Sequence, residues 1–169
     1  PDGLEYQLLK ALILSKLKRQ HEAIALIQQV IADADAGSAD ALAAHQLLGL
    51  LRMASGDWQA AAQAFDHSYR SAPQPAASSR QLATEAYLEQ AHGALNAEQP
   101  ADAVQALNRA LAMYADESGP ASLQMRSALR LQRARILTQI GQLDAAIEDL
   151  QVLTGPQPDD LEARVMLPS

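Results

Sequence analysis

The stretch LGLLRMASGDWQAAAQAFDHSYRSAP, Leu48–Pro73, decides the fold. It carries the small residue Gly49 on a first helical segment, breaks at Gly56-Asp57, and resumes with Trp58, Ala61, Ala62, Phe65 and Tyr69 before closing at Pro73. A glycine ends a helix because it enters the left-handed region without a Cβ penalty, and an Asp just after it favours the next helix N-terminus. Spacings of three and four residues from Trp58 to Tyr69 put those side chains on one helical face, with Trp58 and Phe65 as expected core anchors.

Working outward, the same phrase occurs three more times. Ala134, Leu137, Gly141, Leu143, Ala146, Leu150 and Pro158 repeat it with both the turn glycine and the closing proline. An earlier copy keeps Ala11, Leu14, Ala23 and Ile27 but has the polar run Lys18-Arg19-Gln20-His21 at the break. Another keeps Ala91, Ala103, Leu107 and Ala110, with Pro100 opening its second helix. The second-helix alanines Ala23, Ala61, Ala103 and Ala146 are 38, 42 and 43 residues apart. Sustained two-residue alternation of β-branched or aromatic residues is missing, so no strand is expected.

These residues predict helices over about 3–18, 20–35, 39–54, 57–71, 78–97, 100–115, 120–139 and 142–154, with a ninth from Pro158. The pattern resembles the tetratricopeptide family, specifically in the second and fourth copies, with a period longer than the usual ~34 residues. The extra length falls in 34–39, 71–79 and 115–122, so longer helices or looser connections are expected, as in long-period bacterial arrays. The resemblance implies an all-α, α-solenoid fold of stacked antiparallel helix pairs wound into a right-handed superhelix. Its repeats would lie at about 3–36, 39–73, 78–115 and 120–156, in one domain capped by a helix at 158–167. A start at Pro1 without an initiator Met predicts a segment of a longer protein.

Composition narrows the function classes. Apolar residues make up 49% of the chain and aromatics only 4%, so the core must be built from Ala, Leu, Ile and Val. Thirteen Lys plus Arg against 20 Asp plus Glu give a net charge of −7, the wrong sign for a general nucleic-acid or anionic-membrane binder. Absence of cysteine excludes disulfides and thiolate chemistry and leaves periplasm and cytoplasm equally open. No apolar run reaches the ~18 residues of a transmembrane helix, so membrane insertion is not expected.

Catalysis and cofactors are not expected either. His21-Glu22 begins a zincin-like motif, but Ala25 stands where the second histidine is needed. His21, His45, His67 and His92 fall in four different helices without metal-ligand spacing. Asp33-Ala34-Asp35-Ala36-Gly37 lacks the remaining oxygen ligands of a calcium loop and reads as an acidic helix end. Asp159-Asp160 beside Pro158 is explained by helix N-terminal electrostatics.

The resemblance instead implies a protein or peptide partner, with self-association as a further use of the same faces. Aligned on the repeated alanines, the partner-facing positions of the first helices are Leu8 and Leu12, Gln46 and Leu50, Leu88 and His92, and Leu131 and Arg135. The Lys and Asn set of family members that clamp a C-terminal carboxylate is absent there, so a mixed apolar and polar ligand is expected. Arg126, Arg130 and Arg133 share a helix face and form an alternative docking strip for an acidic partner. Two settings fit such an array: a scaffold in a bacterial envelope or polysaccharide-secretion complex, and the sensor segment of a MalT-like transcription regulator.

Overall fold

The computed structural model describes residues 3–35, 37–73 and 76–154. The expected C-terminal cap lies outside the described residues. Within them there are eight helices and no strand: α1 (Leu4–Lys16), α2 (Gln20–Asp33), α3 (Ala39–Ala54), α4 (Trp58–Ser71), α5 (Ala77–Asn96), α6 (Pro100–Ala112), α7 (Pro120–Gln139) and α8 (Leu143–Thr154). The all-α, paired-helix fold read from the repeats is thus borne out. The long period resides largely in the first helices of the third and fourth copies, since α5 and α7 each run 20 residues against 13 in α1.

Each pair is closed by one and the same turn. The residues Lys18, Gly56, Glu98 and Gly141 all adopt positive φ, at 60°, 73°, 58° and 78°. Their amides donate to Ser15, Met53, Leu95 and Thr138 carbonyls, and the next amides, of Arg19, Asp57, Gln99 and Gln142, donate back to Leu14, Arg52, Ala94 and Leu137. That is the double bond of a Schellman motif, which satisfies carbonyls left over at a helix C-terminus. These turn residues are spaced 38, 42 and 43 apart, as the second-helix alanines are.

Lys18 and Glu98 show that the turn forms without glycine, at a steric cost of ~1–2 kcal/mol for an L-residue. Lys18→Gly and Glu98→Gly are therefore expected to raise stability by about 0.5–1 kcal/mol, the strain relief less glycine's entropy. Gly56→Ala and Gly141→Ala should each cost about 1 kcal/mol, through backbone strain alone, since an added Cβ meets nothing within 4 Å. Urea midpoints of the four variants check both signs.

The sequence-based ends of most helices agree with the structure to within two residues. The exception is α6, expected to run to 115 but ending at Ala112. There Met113 and Tyr114 donate to Ala110 and Leu111 in a tightened turn, which buries both side chains.

After Gly93 the chain divides into two compact units. In the first, α1 packs on α2, α2 on α3, and α3 on α4. Ala11, Ala23, Ile24, Ile27, Ala44, Leu47 and Leu51 form its core cluster, so residues of α2 are shared between their own hairpin and the next one. Phe65 is fully buried on α4, with Gly49 opposite its ring, while Trp58 at the start of α4 is half-buried. In the second unit α6 packs on α7 and α7 on α8, with Ala134, Leu137 and Ala146 at the centre and Val104 of α6 against them. A helix pair cannot cover its apolar stripe alone, which is why the second helix of one pair packs on the first helix of the next.

Candidate partner-binding surface

The turn residues give a common register for the four first helices. Leu12, Leu50, His92 and Arg135 each lie six residues before their turn residue, and Leu8, Gln46, Leu88 and Leu131 each lie ten before it. The members of each pair are one helical turn apart, so they share a face. Leu12 and Leu50 are 43% and 47% exposed, and His92 and Arg135 are exposed as well. Leu8, Gln46 and Leu88 are half-buried. Leu131, at the same register on α7 in the second unit, is 39% exposed.

The neighbouring register position behaves in the opposite way. Ala11, Gly49, Ala91 and Ala134, each seven before the turn residue, are all buried because only small residues fit where helices touch. In the first unit, first helices also meet one another, through contacts of α1 with α3 and a 2.9 Å hydrogen bond from Gln46 Nε2 on α3 to Ser79 Oγ on α5. Leu12, Gln46 and Leu50 therefore sit on adjoining first helices. Gln46 is already engaged by Ser79, and its amide is part of the scaffold as much as of the surface.

The arginine strip is built differently from a row of solvated cations. Arg133 donates through Nε to Asp149 Oδ2 at 2.7 Å and through Nη2 to Asp149 Oδ1, and Arg130 Nη1 reaches Asp149 Oδ1 at 3.3 Å. Arg133 Nη1 also donates to Asn108 on α6. Arg126 leans on the Glu117 carbonyl at 3.5 Å. Asp149 is only 1% exposed, and the arginines that face it are 22–23% exposed. A carboxylate with so little water must be compensated by cations, so the charge of Arg130 and Arg133 is committed inward. Two of the three arginines of the expected docking strip are thus engaged by Asp149, while the contact just described for Arg126 is to a carbonyl and not to a carboxylate.

A second cluster went unseen in the sequence. His45 of α3 and His67 of α4 bring their rings to 4.1 Å between centroids, at a concavity of about 320 Å³ that Gln28, Arg52 and Gln63 also line. The two residues are far apart along the chain and on different helices, so no local spacing announces them. Burial, and then the neighbouring His67, push the His45 pKa below its ordinary value. Between the unfolded value of ~6.5 and the lowered folded one, the unfolded chain binds more protons, so stability rises with pH. The contribution is fully present above pH ~6.5 and is lost as pH falls through the folded value. Urea titrations across that range are expected to show a falling midpoint in acid, and His45→Gln should flatten it.

Among the described residues, no group of three His, Cys, Asp or Glu side chains could hold a metal ion, and no helix is long and apolar enough to cross a membrane. Compared with known proteins, the chain matches no family model and no curated protein. Among solved structures, it is similar to the TPR-like repeats of a kinesin light chain from Podosopora anserina, at 22% identity and a TM-score of 0.42, over 97% of this chain and 76% of that one. The class the molecule defines by its own helices is a helical-hairpin repeat protein.

Proposed function

We propose that the chain is a protein-interaction scaffold that receives an extended peptide or a helix on the face of its first helices. The observation that supports this reading is the register position six before each turn. It stays exposed in all four copies and carries large apolar side chains, Leu12 and Leu50, in the first two. Within the first unit, exposed leucines on adjoining helices offer apolar anchorage, and Gln46 and His92 offer hydrogen-bonding groups that orient a ligand; Arg135 holds the same register in the second unit. The partner is a protein segment of mixed apolar and polar chemistry, and the setting is an envelope or polysaccharide-secretion scaffold or, alternatively, the sensor segment of a MalT-like transcription regulator.

The test places a photo-crosslinking amino acid at Leu12 or Leu50, and at His21 on α2 as a control, and titrates an identified partner against Leu50→Ala and Arg135→Glu. Leu50→Ala is expected to weaken binding about 5- to 30-fold through lost apolar burial, and Arg135→Glu to change its salt dependence. Crosslinks confined to His21, with unchanged affinity in both variants, overturn the reading.

A further inference from the structure

The internal hairpin-to-hairpin interface follows a fixed register, and among the described residues α1 and α8 expose the halves of that interface. On the first-helix side, the positions twelve, nine and five before the turn are Ala44, Leu47 and Leu51 in α3, exposed by 0%, 8% and 3% and packed in the cluster that contains Ile24 and Ile27 of α2. In α7 the first and last of these positions are Leu129 and Ile136, exposed by 1% and 3%. In α1 the same positions are Tyr6, Leu9 and Ile13, exposed by 51%, 56% and 50%. The apolar chemistry is the same while the burial is reversed. These residues border an open concavity of about 290 Å³.

The second-helix side mirrors this. Six residues after the turn stand Ile24 on α2, packed with α3 residues, and Val104 on α6, packed against the cluster of α7 and α8. Two after the turn stands Gln20, whose Nε2 donates at 2.6 Å to the Leu51 carbonyl of the next hairpin. Both positions thus face the following first helix. In α8 they are Ile147 and Leu143, exposed by 51% and 56%. The two rims also differ in sign: Lys10, Lys16 and Lys18 outnumber Glu5 around the α1 face, whereas Asp144 and Glu148 flank the α8 face.

We propose that α8 of one molecule packs on α1 of a second copy, continuing between molecules the second-helix-to-first-helix interface that operates within each. Ile147 and Leu143 occupy against Tyr6, Leu9 and Ile13 the place that Ile24 and Gln20 occupy against α3, and the acidic rim meets the basic one. A contact of two different faces is heterologous, so it propagates head to tail rather than stopping at a dimer. This surface uses register positions other than those of Leu12 and Leu50, so failure here leaves the partner-binding reading intact, and the reverse.

Sedimentation velocity on the full chain tests it with two variants at exposed positions, Ile13→Asp and Ile147→Asp, whose helicity is checked by circular dichroism. The unsubstituted chain is expected to sediment as a concentration-dependent series beyond the dimer. Each variant alone should be monomeric, with association weakened at least about 30-fold by a charge placed in an apolar contact. Mixed in equal amounts, the two variants should form a 1:1 dimer and nothing larger, since one keeps a working α8 and the other a working α1. A chain that stays monomeric at every concentration overturns the proposal and gives these faces to other segments or molecules, the expected cap at 158–167 among them. So does a variant that still dimerises alone, which would mean contact between like faces, or a mixture that does not associate.

Discussion

Asp149→Ala is expected to cost about 3–5 kcal/mol and to loosen the hairpin of α7 and α8 before the rest of its unit. Asp149 is 1% exposed and receives Arg133 through two nitrogens and Arg130 through a third. Removing it leaves two guanidiniums, each more than three-quarters buried, facing each other with no anion between them. Their repulsion and their lost hydration then both oppose folding. In the other three hairpins the position eight after the turn is Leu26, Ala64 and Ala106, so an apolar residue there is compatible with the repeat. It follows that the triple replacement Arg130→Met, Arg133→Leu and Asp149→Leu should recover most of the loss, because an apolar set of similar volume needs no compensation. Chemical denaturation of the single and triple variants, with hydrogen exchange on α7 and α8, separates the two. An Asp149→Ala protein of unchanged stability would mean that the cluster is not formed in solution.

Phe65→Ala should have an effect of similar size, about 3–5 kcal/mol, in the other unit. Phe65 is fully buried, and the chain holds no other phenylalanine, so no neighbouring ring of that kind refills the cavity. The ring lies against Gly49, where an added Cβ would come within 2.6 Å of the ring carbons. Gly49→Ala is accordingly expected to cost about 1–3 kcal/mol by overpacking, since the buried ring has little room to yield. The two positions are in contact and should couple: in a Phe65→Leu background, Gly49→Ala should cost less than it does alone. Additive costs would show that the close approach of α3 and α4 does not run through this pair.

How far each feature could be read in the chain follows from how local its cause is. Gly56-Asp57 and Gly141 marked two turns because glycine's freedom at positive φ and an acidic helix start act over a few neighbouring residues. Asp57 does cap α4, accepting from the Ala60 amide at 3.2 Å. The turns at Lys18 and Glu98 have the same hydrogen bonds without that marker. Their conformation comes from helices that pack on either side and hold a lysine and a glutamate where their own preference would not put them.

By itself the sequence determined the eight helices of the described residues and their pairing. Helical periodicity and turn chemistry are short-range, and they repeat at Ala23, Ala61, Ala103 and Ala146. Only the tertiary structure decided which charged residues are solvated and which apolar ones are covered. Arg126, Arg130 and Arg133 have the spacing of an exposed strip, and nothing near them in the chain reveals that Asp149 lies between two of them. His45 and His67 likewise meet only because α3 and α4 fold together. Tyr6, Leu9 and Ile13 hold the register that Ala44, Leu47 and Leu51 hold in α3, and they are half exposed because burial depends on a neighbouring helix, which a stripe of sequence can call for but cannot supply.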